Sequence, residues 1–249
     1  MRIAIIDCGT NTFHLLIVET KADGKFKTIL KENIPVKLGE AGITNKIISE
    51  IPFQRGMNTL KNFGEIIRKT NPDKIFAYAT AAIRNAANGN DFVKAAMEKT
   101  GIEIQLIDGQ REAELIYYGV RQAVKLTDEK VLIMDIGGGS VEFIIANNNE
   151  IFWKQSFGTG AAFLLEKFKP SDPIQLSEIN EIRNYLEKEL HPLFAQLQTT
   201  NYKLQTLIGS SGSFETFVDL ISWHFPSPRV TERQTEYKIR WDEFLTIHE

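Results

Sequence analysis

Apolar positions near the N-terminus alternate and then break at a run of small residues. Residues 3–7 read as a strand, 9–12 as a turn and 13–17 as a second strand. The same succession returns without gaps at 131–145, so that Asp7 matches Asp135 and Gly9 matches Gly137. A repeat spaced by half the chain predicts two equivalent lobes, because the units of a solenoid run only about 20–50 residues. Between the hairpins, strands expected at 26–38, 74–79 and 103–107 alternate with helices at 49–69, capped by Ser49, at 91–99, capped by Asn90, and at 110–126. After the second hairpin come a strand at 151–156, a helix from about Gly160, and a long helix over 177–197 disturbed at Pro192. A strand at 204–208 and a helix after Ser213 complete the pattern. The alternation predicts an α/β fold. The lobes are expected at 1–126 and 127–249, divided by the polar stretch 127–130 without a Pro- or Gly-rich linker.

Composition narrows the partners. With 249 residues, 43% hydrophobic and 24% charged, the chain buries a core without staples. A net charge of −3 gives no global attraction to nucleic acid or anionic lipid, so a polyanionic ligand must meet a local basic site. The single Cys8 forms no internal disulfide, and the four histidines show no metal-ligand spacing. No apolar run approaches membrane-spanning length, and the expected location is the cytoplasm.

The turns carry the candidate chemistry. Phosphate oxygens are best held by several backbone N–H groups at once, and small residues let the backbone approach. Gly9, Thr10, Asn11 and Thr12 form one such turn, and Gly137, Gly138, Gly139 and Ser140 form the second. Gly209, Ser210, Ser211 and Gly212 form a third, after a strand and before a helix. Asp7 and Asp135 each place a carboxylate at a strand end, suited to holding hydrated Mg2+ beside phosphate. The bland alternative is that each carboxylate caps its own turn. Glu142 follows the second turn where His14 follows the first; Glu142 is read as a further metal-side carboxylate, and His14 as packing or a local hydrogen bond. Arg84 follows a strand, where a guanidinium can clamp phosphate with two N–H groups. Phe63, Phe163 and Phe217 are read as core, and Cys8 as a small turn residue rather than a nucleophile.

Five ordered motifs then carry a resemblance: IDCGTNTFHLL at 6–16, ATAAIRNAAN at 79–88, IDGQREAELIYYGV at 107–120, DIGGGSVE at 135–142 and GSSGS at 209–213. In order and spacing the chain resembles the exopolyphosphatase / guanosine pentaphosphate phosphatase family of the actin/Hsp70/sugar-kinase superfamily, over nearly its whole length. The resemblance implies a duplicated, two-lobed, actin-like (ribonuclease H-like) fold with an interlobe cleft. It also implies Mg2+-dependent release of the terminal phosphate from inorganic polyphosphate or guanosine pentaphosphate, with Glu112 as general base. A homodimer is an allowed assembly. The chain departs from the family pattern at Thr10 and Thr12, which stand for serines, and at Arg111, which stands for the first of two paired acids. Lys37 occupies a position where the family usually has arginine, and its ammonium can still attract phosphate as a point charge. Family chains continue past the position of Glu249, so the second lobe is expected to lack its C-terminal segment here.

Two other functions compete. The same fold serves ATP-dependent kinases and ATPases, against which the Glu112 motif argues. A non-catalytic polyphosphate or alarmone-binding module would keep the turns without turnover.

Overall fold

The computed structural model describes residues 1–22, 24–199, 204–225 and 236–248. They form two compact units, neither contiguous in sequence. The first contains 1–109, 138–140 and 158–189; the second contains 110–137, 141–157 and 190–249.

In the first unit, β1 (Arg2–Cys8), β2 (Thr12–Thr20) and β3 (Phe26–Pro35) form an antiparallel meander. Strands β4 (Lys74–Ala79) and β5 (Ile104–Leu106) add in parallel, giving the order β3-β2-β1-β4-β5. Alternation decides which side is buried. Ala4, Ile6 and Cys8 of β1 and Phe13, Leu15 and Ile17 of β2 face one way and pack with Leu60, Phe63 and Phe92 of helices α1 (Glu50–Thr70) and α3 (Gly89–Thr100). Asp7, one residue out of phase, lies on the opposite face and is exposed.

The second unit repeats the topology. Strands β6 (Val131–Ile136), β7 (Val141–Ala146) and β8 (Ile151–Phe157) form the meander, and β9 (Leu207–Ser210) adds in parallel to β6, giving β8-β7-β6-β9. Helix α4 (Gly109–Ala123) covers one face through Ala113, Tyr117 and Val120, which pack on Ile133 and Ile144. Leu193 of helix α7 (His191–Thr199) covers the other face, on Val141, Phe143 and Phe157. Thus α4, grouped by sequence with residues 1–126, packs with the second sheet. Its apolar stripe is satisfied there.

Several element boundaries differ from the sequence reading. The expected helix over 177–197 is two helices, α6 (Leu176–Glu189) and α7. Pro192 has no N–H and its ring crowds the preceding turn, so the helix stops and restarts with Pro192 in its first turn. Ser49 sits at the N-cap of α1, but its hydroxyl donates to the Ala41 carbonyl (2.9 Å) and caps nothing. Asn88, not Asn90, is the N-cap of α3, and its amide is spent on both backbone groups of Ile48 (2.9 and 2.8 Å). A short helix α2 (Ala81–Asn85) follows β4, and helices α5 (Ala161–Phe168), α8 (Gly212–His224) and α9 (Trp241–His248) complete the described chain. No helix among the described residues is long and apolar enough to cross a membrane.

Candidate active site

Strand register lays out two equivalent polar rows. In the first unit Asp7 pairs with His14 on β2 and with Tyr78 on β4, and His14 Nδ1 is 2.8 Å from Asn33 Oδ1 on β3. In the second, Asp135 pairs with Glu142 on β7 and with Ser210 on β9, and Ser156 on β8 donates to Glu142 Oε1 at 2.6 Å. The internal repeat therefore survives as geometry, with Asp135 and Glu142 side by side as Asp7 and His14 are. His14, read from the sequence as packing or a local hydrogen bond, makes a hydrogen bond, but across the sheet to the neighbouring strand rather than locally. Cys8 is buried, and burial followed by the neighbouring Asp7 carboxylate pushes its thiol well above the ordinary range, so it stays a protonated core residue.

Within the first unit, the turn at Thr10 and Asn11 is fixed through its carbonyls. The Thr10 oxygen accepts from the N–H of Leu38 (2.7 Å), and the Asn11 oxygen from Val36 (2.8 Å) and Lys37 (2.7 Å). A trans peptide points its N–H opposite its carbonyl, so the Asn11 N–H is directed away from residues 36–39. The Arg55 side chain on α1 holds the same segment by donating to the carbonyls of Val36 and Lys37 and pairing with Glu40 at 2.6 Å. Lys37 itself is exposed, with φ 48°.

Residues 138–140 belong to this unit and press on the first turn. A Cβ on Gly139 would stand 2.6 Å from Thr10 Oγ1 and 2.8 Å from the Ala81 Cβ, and one on Gly138 would stand 2.9 Å from the Asn11 carboxamide. Only glycine permits this approach. The N-terminus of α5 locks the arrangement, with the N–H groups of Ala162 (2.9 Å) and Phe163 (3.1 Å) donating to the Gly138 carbonyl. Arg84 lies on α2, half-buried, and donates through Nη1 to the Ile107 carbonyl at 2.8 Å, just before α4 begins.

In the second unit, Gly209 and Ser210 lie inside β9, so the third turn starts at Ser211, two residues later than expected, and the strand itself begins three residues and ends two residues later than expected. Gly209 is glycine because the Phe214 ring of α8 occupies the place of its side chain, 2.1 Å from an ideal Cβ. Ser211, at φ 75° and ψ 174°, takes a backbone conformation that residues other than glycine pay about 1–3 kcal/mol to adopt. Such strain persists where the surroundings enforce it: the hydroxyls of Ser211 (2.7 Å) and Ser213 (3.3 Å) both donate to the Ile136 carbonyl, between Asp135 and Gly137. Burial raises the Asp135 carboxyl above its ordinary value, against the hydrogen bonds of Ser210 and Ser211.

Two contacts set the direction of α4 on its sheet. Lys154 of β8 pairs with Glu114, while the Tyr117 hydroxyl, one turn further on, donates to the Asn147 carbonyl beyond the far end of β7 (3.0 Å). Earlier residues of α4 therefore lie toward the Glu142–Asp135 end. Half-buried Glu112, in the first turn, is carried to that end. Arg111 pairs with Glu114 at 2.9 Å, and the hydrogen bonds from Lys154 and Arg111 hold the Glu114 carboxyl below its usual range.

Hard oxygen donors on Asp135 and Glu142 suit Mg2+. No cluster of three or more His, Cys, Asp or Glu among the described residues encloses a cation. That donor set fits an ion that completes its octahedron with water and substrate phosphate, as Mg2+ commonly does.

Sequence reading missed Lys154 and Glu166. Glu166 of α5 accepts from the N–H groups of Gly42 (3.2 Å) and Thr44 (3.1 Å) and from the Thr44 hydroxyl (2.6 Å), tying α5 to the loop after Gly39. Burial works to raise its pKa, but these donors and the Ile43 N–H outweigh it and hold the carboxyl below the ordinary 4.5. A depressed folded-state pKa contributes stability that is present above pH 4.5 and lost as pH falls through the folded value. Glu166→Gln is expected to flatten the acid limb of a melting-temperature profile below that pH; an unchanged limb would show that the contacts carry no stability.

Two antiparallel meanders, each extended by a parallel strand and each carrying an acidic residue before a small-residue turn, define a duplicated actin-like α/β protein. Within that class the chain belongs to the Ppx/GppA phosphatase family, whose sequence profile matches residues 17–245. It is similar to an exopolyphosphatase from Cytophaga hutchinsonii at 39% identity, over 99% of this chain and 78% of that one, with a TM-score of 0.94. A Ppx/GppA family member from Aquifex aeolicus is 27% identical over 92% of this chain and 72% of its own, with a TM-score of 0.71. An exopolyphosphatase-like protein is 25% identical over 89% and 69%, with a TM-score of 0.81.

Proposed function

We propose that the chain hydrolyses the terminal phosphoanhydride of inorganic polyphosphate or guanosine pentaphosphate, with Glu112 as general base. One observation carries the assignment of the base: the packing polarity of α4 brings Glu112 to the end of the sheet where Asp135 and Glu142 stand paired. Family membership and the exopolyphosphatase neighbours support the reaction class.

The backbone of the small-residue turns binds phosphate oxygens, and Arg84 and Lys37 add positive charge. Asp135 and Glu142 would hold Mg2+ or its water, Asp7 would do so in the first unit, and a bound ion would supply charge neutralisation on the phosphoryl oxygens. Glu112 orients a water and takes its proton as the water oxygen bonds to the terminal phosphorus. The bridging oxygen leaves with the shortened chain.

The test is phosphate release from long polyphosphate, guanosine pentaphosphate and ATP, with Mg2+ and with excess chelator. Release from either of the first two without ATP is the expected result. Release that needs ATP and a phosphoryl acceptor would favour a kinase, tight binding without release a sensor, and full activity in chelator would remove the metal.

A further inference from the structure

The internal repeat reaches a third strand. β3 and β8 meet their hairpins in the same register, and the irregularity falls at the same place, Ile17/Val18 in one and Ile145/Ala146 in the other. Lys31 on β3 stands opposite Leu16 as Lys154 on β8 stands opposite Ile144, so the two lysines occupy equivalent places. In the second unit this face is covered. Helix α4 lays Ala113, Tyr117 and Val120 on Ile133 and Ile144, and its Glu114 pairs with Lys154, whose side chain is left 18% exposed.

The equivalent face of the first sheet carries no such helix among the described residues. Ile5, the counterpart of Ile133, stands opposite Leu16 on one side and Phe76 on the other. None of the three belongs to an apolar core: Ile5 and Leu16 are half-buried, and Phe76 is 38% exposed. Lys31 is exposed and forms no ion pair among the described residues. An apolar sheet face with a cation in the place of Lys154 fits an amphipathic helix spelled as α4 is, with apolar residues at i and i+4 and an acid at i+1.

Helix α9 has that spelling and turns it outward. Its inner side is set by Glu243, which is buried, and by Phe244, whose ring packs edge-on against Phe217 of α8 at 6.0 Å. Trp241 and Leu245, at i and i+4, are left 72% and 41% exposed, and Asp242 stands at i+1. The Asp242 ion pair with Arg240 joins two exposed groups, so it competes weakly for the carboxylate. The stripe on α9 and the face of the first sheet are exposed in one and the same chain. The helix that covers the face therefore comes from another copy.

We propose that this chain pairs with a second copy of itself, α9 of each protomer docking on the first sheet of its partner with Asp242 beside Lys31. Each copy offers one face and one helix, so two identical contacts close a two-fold dimer. Trp241 is the anchor, because a buried aromatic side chain carries a large share of interface energy. The proposal does not depend on the hydrolase reading.

Sedimentation equilibrium is expected to show a concentration-dependent dimer, and Trp241→Ala should shift it to monomer. Lys31→Glu sets a like charge against Asp242, and Asp242→Lys does the same to Lys31. Each variant alone should weaken the dimer by about tenfold or more, with an unchanged circular dichroism spectrum because both positions are exposed. In an equal mixture of the two variants, the introduced glutamate meets the introduced lysine at one contact and Lys31 meets Asp242 at the other. The mixture should recover the affinity of the wild type. A wild-type monomer at every concentration, a dimer indifferent to Trp241→Ala, or a mixture no tighter than either variant alone overturns the proposal. If the monomer instead binds a synthetic peptide of Gly109–Ala123 in a Lys31-dependent way, the face takes a helix from a different protein and the second copy is excluded.

Discussion

Glu112→Gln is expected to lower turnover by about 10²- to 10⁴-fold, the usual size of a general-base contribution, with substrate affinity little changed. Glutamine keeps the shape and the hydrogen-bonding oxygen but cannot take a proton from water. Glu112 is half-buried in the first turn of α4, a helix anchored on the sheet by Ala113, Tyr117 and Val120, so the substitution leaves packing in place. A first-turn glutamate with no chemical role would lose only its interaction with the helix dipole, at most about 1 kcal/mol. Steady-state kinetics and a thermal melt on this one variant separate the two. Normal turnover with a slightly lower melting point would end the proposed mechanism.

Asp135→Asn is expected to move stability and activity in opposite directions. Burial raises the folded-state pKa above the ordinary 3.8, against the serine hydrogen bonds. A carboxyl with a raised folded-state pKa holds its proton more tightly in the fold, so its contribution to stability is complete below 3.8 and lost as pH rises through the folded value. Above that folded value the wild-type protein carries a desolvated charge that asparagine lacks. In chelator, the variant should melt higher than wild type at pH 7, with the gap closing in acid. In Mg2+, it should lose at least about 10- to 100-fold in metal affinity or turnover, the range that removing even an outer-shell partner of a metal ligand costs. A variant that melts lower at pH 7 while turning over normally would mark Asp135 as a structural cap of its turn.

The lysine and glutamates around α4 show how legibility ended. Glu112 stood out only through its motif, since a glutamate in a first helical turn is otherwise ordinary. Glu114, two residues on, had no such mark and is the residue that joins Arg111 to Lys154. The separation of 40 positions from Glu114 to Lys154 carries no periodicity that would pair them. Glu166 is similar: apart from the Thr44 hydroxyl, its partners are backbone groups of a loop 122–124 residues away, and backbone donors leave no trace in side-chain spelling.

The sequence by itself determined the duplicated α/β architecture. Alternation in the two hairpins specified which residues face the same way, and a register slip would have turned each hydrophobic set to the wrong side. Asp7 and Asp135 were accordingly readable as equivalent before any contact was known. Only the tertiary structure decided that α4 packs on the second sheet, that Gly138 and Gly139 abut Thr10 and Asn11, and that Gly209 yields its space to Phe214. Periodicity states that a helix has an apolar stripe but not which sheet will bury it. A glycine states that some atom comes close, and which atom it is depends on chain segments that meet only when the fold closes.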